Sequence, residues 1–482
     1  MIHFRPKPTF KADATLYFLA EQQNPKDIRL PPDIRREIIN LIRKGQFTAK
    51  DKQLFPLFVK GKLILLAGIG KSTDLTPTAL RIITRQALLS GFLSKAKSLE
   101  IIPCSQNGTD LRAIIEGVLI GTYTWNKYKK SESGETVLPR HKTIYLIALN
   151  PKTFKDILTV CDGVTLARDL VNDNADTITA DYFEETVRNL ISKQKGVSLK
   201  ILNKKELKAE GLNLHLAVNR GSEREPKLII VRYDRGPENE KYTALIGKGI
   251  TFDSGGINLK SSQHIETMRC DMSGAAALIG VLKNVLALNM KRNLLFVMAM
   301  AENAIDAKSY KPGDIIKSYS GKTVEIANTD AEGRLILADA IAYTVKNYKP
   351  TQIIDLATLT GACIIALGYD YSGLVTNNEI LAEGLLKAAA VTDDRVWQLP
   401  NYPEIREAVK SDVADIRNLG YPKSAAGTLT AAEFLRQFTE KTPWAHLDIA
   451  GTAFIEQRQH SYYSFGATGA GVRLITEYLR QK

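Results

Sequence analysis

At 482 residues, with 44% hydrophobic and 24% charged side chains, the chain has the composition of a folded globular protein long enough for two or more domains, which excludes a disordered or fibrous one. No run of 18 apolar residues occurs and the opening MIHFRPKPTFK lacks an apolar leader core, so neither a membrane span nor a secretory leader is expected. The net charge of +13 is lopsided: residues 1–170 hold 27 Lys and Arg against 15 Asp and Glu, a basic third that suits either a solvated face or a nucleic-acid-binding module.

The first strand-like run is KLILLAG (62–68). GIGKST (68–73) follows it and imitates the end of a phosphate-binding loop, but the opening glycine that loop needs falls at Leu65, so an ordinary turn is expected. KYKKSESGETVLPRHK (127–142) reads as a surface loop, and KTIYLIAL (142–149) as another strand. The basic excess ends between about 150 and 185, which places a smaller basic N-terminal α/β domain at 1–160 and a larger domain at 161–482. Beyond it, strand-like KLIIVRYD (227–234), YTALIGKG (242–249), NLLFVMAM (293–300), TQIIDLAT (351–358) and WAHLDIAG (444–451) alternate with stretches of helical spacing at 273–288 and 331–348. Strand and helix in alternation predict an α/β fold whose mixed, largely parallel sheet is flanked by helices. GATGAGVRLI (466–475) has neither the spacing nor the place of a dinucleotide fingerprint.

Cys104, Cys161, Cys270 and Cys363 lie far apart with no Cys-x-x-Cys, and the six histidines form no His-x-x-x-His. A reducing cytoplasm is therefore expected, and any metal would be held mainly by carboxylates. Two acidic constellations stand ready. In GKGITFDSGGINLKSSQHIETMRCDMSGAAAL (247–278), Lys248 ends a strand, Asp253 precedes a Ser-Gly-Gly turn, Lys260 follows, and Asp271 opens the next helix. In NTDAEGRLILADAI (328–341), Asp330 and Glu332 stand just before Arg334. Alone, Thr329–Glu332 reads as a capping box. Both segments, however, fall where parallel strands deliver their carboxyl ends to one edge. Four acids gathered there would raise one another's pKa, and a pair of divalent cations removes the conflict.

GKGITFDSGG, MRCDMSGAA, NTDAEGRLILADA, DLATLTGA, SDVADIRNLG and HLDIAGTA, in this order, resemble the leucyl (cytosol) aminopeptidase family of two-metal peptidases, densely over residues 160–475 and more loosely before. The resemblance implies metal ligation by Lys248, Asp253, Asp271, Asp330 and Glu332, with Lys260 and Arg334 as the two cationic catalytic residues. A ligating lysine must be neutral, which demands a pKa pushed far down by adjacent cations. Manganese, zinc, magnesium and cobalt all suit a carboxylate-rich site. One departure stands beside a ligand: the family's usual Asp-Met-Gly-Gly-Ala is Asp271-Met272-Ser273-Gly274-Ala275 here, and a small serine at a helix N-terminus is expected to preserve the geometry. Cys270 is expected to be a buried small residue.

The mechanism so implied has two ions about 3.5–4 Å apart sharing Asp253, Glu332 and a water whose pKa falls from about 15.7 toward about 7. One ion tethers the neutral α-amine of a peptide substrate, which limits cleavage to the N-terminal residue. Lys260 supplies fixed positive charge to the oxyanion, and Arg334 holds a bicarbonate that shuttles the proton, a planar anion suiting a planar guanidinium. Backbone groups near Leu359 and Gly361 would meet the peptide, and Met268, Thr358 and Ala453 would line an apolar pocket for leucine or a similar side chain. The resemblance also implies a homohexamer. An additional or alternative role as a DNA-binding regulator through the basic N-terminal domain is the competing expectation.

Overall fold

Six short strands whose buried residues are largely apolar build the sheet of the first unit: β1 (Ile2–Arg5), β2 (Ala14–Leu19), β3 (Leu54–Val59), β4 (Lys62–Gly68), β5 (Ser98–Ile102) and β6 (Thr143–Ile147). The computed structural model describes residues 2–23, 30–129, 143–150, 154–422, 425–456 and 461–481, so most of the loop expected at 127–142 lies outside the described residues. The sheet order is β1-β6-β5-β2-β4-β3, parallel throughout except for the β3–β4 hairpin. That hairpin turns on Lys60 and Gly61, both left-handed at φ +49 and +75, the backbone a two-residue turn requires. β2 is buried along its whole length, as a strand covered on both faces must be. After β4 the chain passes through GIGKST and starts a helix only at Pro77, capped by Thr76 Oγ1 accepting from Ala79 N at 3.1 Å. The turn expected there is the turn found, and no helix N-terminus follows it directly. Helices Pro77–Leu89 and Gly108–Leu119 are joined by buried Arg81, whose Nε donates to Glu116 Oε2 at 2.6 Å. This unit comprises Met1–Cys161 and Gln457–Phe465.

The second unit, Asp162–Glu456 with Gly466–Lys482, carries the larger sheet. Its strands are β7 (Val197–Leu202), β8 (Lys227–Asp234), β9 (Thr243–Asp253), β10 (Asn293–Asn303), β13 (Gln352–Ala357), β14 (Ser372–Thr376), β15 (Val396–Gln398) and β17 (Trp444–Asp448); β11 (Ile315–Lys317), β12 (Thr323–Glu325) and β16 (Ile416–Arg417) form a small separate sheet. The order is β15-β14-β17-β13-β9-β10-β8-β7, with β17, β13, β9 and β10 parallel at the centre, antiparallel pairs β14–β17, β10–β8 and β8–β7 on either side, and β15 parallel to β14 at one edge. The α/β expectation of a mixed, largely parallel sheet flanked by helices holds. Helices cover both faces. Ala244, Ile246 and Ile250 of β9 share a core with helix Gly333–Tyr348. On the opposite face Gly247 is bare because a Cβ there would stand 2.8 Å from Ala275 Cα of helix Ser273–Ala287. The stretch Met268–Ala287 is apolar enough to cross a bilayer, but 83% of that window is buried in the unit, which makes it a core helix.

Candidate metal centre

β9 runs in register with β13 only as far as Gly247, while its pairing with β10 continues to Asp253. The site sits where β9 and β13 part, at the carboxyl ends of the parallel strands. Lys248 therefore lies within an 11-residue strand and not at its end, as the sequence suggested, because β10 goes on pairing with β9 as far as Asp253 after β13 has left it. Lys248 and Asp253 are five apart, which on a regular strand turns them to opposite faces. The β9–β10 pairing slips by one between Ile250↔Ala301 and Asp253↔Asn303, so β9 carries one extra residue there. That bulge resets the alternation and brings Asp253 back to the face of Lys248.

The side chains meet as follows. Lys248 Nζ lies 2.8 Å from Asp271 Oδ1 and 2.8 Å from Glu332 Oε1, and donates to the Thr358 carbonyl at 2.8 Å. Lys260 Nζ lies 2.9 Å from Asp253 Oδ2 and 2.6 Å from Asp330 Oδ1. Carboxylate oxygens of Asp253, Asp330 and Glu332 fall within 4.8 Å of one another. Thr358, expected to line an apolar pocket, donates its hydroxyl to Asp271 Oδ1 at 2.8 Å and so supports a carboxylate. The structure thus gathers Lys248, Asp253, Lys260, Asp271, Asp330 and Glu332 into one group, buried except at the half-buried Lys260 and Asp330.

The capping-box reading of Thr329–Glu332 is corrected. The helix begins at Gly333, and Glu332, its N-cap, makes no capping bond but points to Lys248. Thr329 Oγ1 is spent elsewhere, donating to Gly255 O at 2.7 Å and accepting from Asn258 N at 2.8 Å. A tertiary partner has taken the hydroxyl that the local pattern assigned to the helix end.

Four carboxylates against two ammoniums leave the group short of positive charge. Burial and the neighbouring Glu332 push Asp253 up to about 6, and burial raises Asp271 well above the usual carboxylate range. Burial also works against Glu332, but the Lys248 and Lys260 charges outweigh it and hold its carboxyl low. Burial likewise opposes both ammoniums, and the surrounding carboxylates keep both lysines protonated well above neutrality. Asp271 Oδ2 is buried without a hydrogen-bond partner. An orphaned carboxylate oxygen, an excess of acid and three converging carboxylates fit a divalent cation. The glycines fit it too: a Cβ on Gly255 would stand 2.8 Å from Asp330 Oδ1.

Arg334 lies on the first turn of helix Gly333–Tyr348, only 6% exposed, with Nη1 donating to Asn418 O at 2.8 Å and Nε buried without a partner. Burial lowers its pKa to about 10, which leaves it a cation at neutral pH. Leu359 N donates to Asp448 Oδ1 at 3.2 Å, and Gly361 opens the helix Gly361–Leu367. Met268 is half-buried and Ala453 buried. Neither belongs to the ion-paired group, but their segments meet: Thr267 Oγ1 donates to Glu456 Oε1 at 2.7 Å, and Arg269 lies over the Phe454 ring at 5.5 Å. Ser273 keeps its hydroxyl occupied, donating to Cys270 O at 2.5 Å, and Cys270 is a buried thiol pushed up to about 12 by burial.

Two asparagines that sequence reasoning passed over hold the segments that carry Asp253, Asp330 and Glu332. Asn418 Oδ1 accepts from Ala327 N at 2.8 Å and Asn328 N at 3.2 Å, and its Nδ2 donates to Asn328 O at 2.7 Å and Ala331 O at 3.3 Å. Asn303 Nδ2 donates to Asp253 Oδ1 at 2.8 Å. The segment SDVADIRNLG carried the only available signal for Asn418; an asparagine at a strand end, as Asn303 is, reads simply as a turn former.

Residues 165–476 match the catalytic domain of the cytosol aminopeptidase family, and residues 17–132 match that family's N-terminal domain. A protein of Protochlamydia amoebophila described as a probable cytosol aminopeptidase is 38% identical, covering 98% of this chain and 96% of its own length; one of Geotalea uraniireducens, described alike, is 40% identical over 92% and 90%. Among solved structures, a mutant of tomato leucine aminopeptidase is similar with TM-score 0.86 at 31% identity, covering 100% of this chain and 96% of that one. The bottromycin maturation enzyme BotP in complex with Mn is similar with TM-score 0.85 at 28% identity, covering 98% and 99%.

Proposed function

The chain belongs to the cytosol aminopeptidase family and is a metallo-exopeptidase of the leucyl aminopeptidase type, and on that premise we propose that it removes leucine and other apolar N-terminal residues from peptides at a centre built for two divalent ions. The observation that carries this reading is the convergence of four carboxylates on only two ammoniums, with one buried oxygen of Asp271 unpaired. Lys248, Asp253, Asp271, Asp330 and Glu332 would hold the ions. Manganese is favoured by the similarity to BotP, solved with Mn, and zinc suits the same donors. Bound there, the ions supply a nucleophile at neutral pH and positive charge where an oxyanion develops.

The chain's own groups do the rest. Lys260, pinned by Asp253 and Asp330, offers an ammonium that needs no reorganisation when negative charge forms on the scissile carbonyl oxygen. Arg334, fixed by Asn418 O through one nitrogen, would present its remaining donors to a planar anion such as bicarbonate, which would take and return the proton. With the Leu359 N–H given to Asp448, the Leu359 carbonyl and the Gly361 backbone are the groups proposed to orient the peptide. Met268, Thr358 and Ala453 would receive its first side chain. Metal-stripped protein offered a panel of aminoacyl p-nitroanilides should be silent, and Mn, Zn, Mg or Co returned singly should restore leucine release; undiminished release under chelation defeats the proposal.

A homohexamer in the cytoplasm is proposed with it, supported by the family resemblance and checked by light scattering. The basic excess of residues 1–170 favours one further reading, DNA binding by the N-terminal domain. Steep loss of DNA affinity with salt, beside hydrolysis that barely responds, would support it.

A further inference from the structure

Asn303 ends β10 directly opposite Asp253, the last residue of β9, and is fully buried. Its Nδ2 is shared between Asp253 Oδ1 at 2.8 Å and the Thr329 carbonyl at 3.1 Å. Its own oxygen, Oδ1, is buried with no hydrogen-bond partner, close to where a Cβ on Gly256 would stand, 3.0 Å away. An unpaired buried carbonyl costs stability, and a structure keeps one only where something else is gained. Flipping the amide would gain nothing, since the oxygen would then face a carboxylate and a carbonyl, both acceptors. The orientation present sacrifices Oδ1 so that two N–H bonds reach the ends of two ligand-bearing loops.

The consequence falls on Asp253. Its Oδ1 receives the Asn303 bond and a second from Gly255 N at 2.9 Å, whereas its Oδ2 is the oxygen that faces Lys260 Nζ at 2.9 Å. We propose that Asn303 is a positioning residue that, together with Gly255 N, occupies Asp253 Oδ1 and leaves Oδ2 as the single metal-donating oxygen of Asp253. Its bond to Thr329 O, which also accepts from Tyr310 Oη at 2.7 Å, ties that choice to the loop carrying Asp330. The proposal rests on the reading that Asp253 holds a metal ion. It assigns Asn303 an effect on metal binding that a residue merely stapling two strands would lack.

The test compares metal-stripped wild type with Asn303→Leu, which nearly keeps the shape while removing both N–H donors and the unpaired oxygen. Each is titrated calorimetrically with MnCl2, melted without metal, and assayed at saturating Mn. Expected are a melting temperature close to wild type, Mn affinity weaker by about 10- to 100-fold, and an unchanged KM for leucine p-nitroanilide. Equal Mn affinity in the folded variant overturns the proposal. A wild type that binds no Mn defeats the metal reading and the proposal together, whereas tight binding without hydrolysis defeats only the enzyme reading. Should Asn303→Leu be insoluble, a crystal structure of Mn-loaded wild type decides: coordination through Asp253 Oδ2 alone supports the assignment, and coordination through Oδ1 sinks it.

Discussion

A Cβ on Gly333 would stand 2.4 Å from Lys248 Cε and 2.5 Å from its Nζ. The obstacle is the far end of a flexible side chain, so Gly333→Ala should displace Lys248 without breaking the fold, and alanine suits a helical residue better than glycine. We expect a melting temperature within a few degrees of wild type beside kcat/KM reduced by at least about 10- to 100-fold, the range seen when a metal ligand loses its support; wild-type kinetics would show that Lys248 need not stand where it does. Glu332→Gln removes an ionic partner of Lys248 and one of the three converging carboxylates. Turnover should vanish in Glu332→Gln, and in Asp330→Asn, while far-ultraviolet circular dichroism is unchanged; full activity in either removes that residue from the centre.

Helix Gly333–Tyr348 carries Arg334 at one end and, a turn and a half further on, Asp339, which accepts from Leu214 N at 2.8 Å, His215 N at 3.2 Å and Tyr319 N at 2.8 Å. Asp339 thereby seats helix Asn213–Val218 against it. Burial, only partly offset by the three N–H donors, pushes the Asp339 carboxyl from 3.8 up to about 7. As pH rises from about 4 to about 7 the unfolded chain gives up this proton before the folded one does, so stability is lost across that window and is flat above it. The difference in unfolding free energy between wild type and Asp339→Asn should therefore fall with pH, by at most about 1.4 kcal/mol per unit; a difference that grows from pH 4 to 7 in urea melts would contradict it. Elements like this one were legible in part. KLILLAG and KLIIVRYD coincide with β4 and β8, being short apolar runs with clear breaks, whereas LFPLFV carries a proline and SLEII a buried Glu100, and neither β3 nor β5 was foreseen. The acidic residues of the site were visible as residues, and the resemblance gave them roles. What stayed hidden was the bulge that turns Asp253 back beside Lys248, and the bonds of Thr329, Asn303 and Asn418, because each depends on a partner distant in sequence.

The two units have separate sheets and separate cores, and the carboxylates and lysines of the centre all belong to the second. A ligand that binds only the folded state stabilises it by RT ln(1 + [L]/Kd), about 2.7 kcal/mol at a hundredfold excess over Kd. That stabilisation acts on the unit whose folding creates the site, since the proposed ligands Lys248 to Glu332 span 85 residues and converge only when β9, β10 and the following loops are formed. Chelation should therefore lower the unfolding transition of the catalytic unit by a few degrees and leave that of the N-terminal unit where it was. Calorimetric scans with and without MnCl2 separate the two, read beside tryptophan emission in a Trp125→Phe background that leaves Trp397 and buried Trp444 of the catalytic unit as the reporters. A shift confined to the N-terminal unit would mean the ions bind elsewhere, and identical scans would mean that folding this unit does not build a metal site at all.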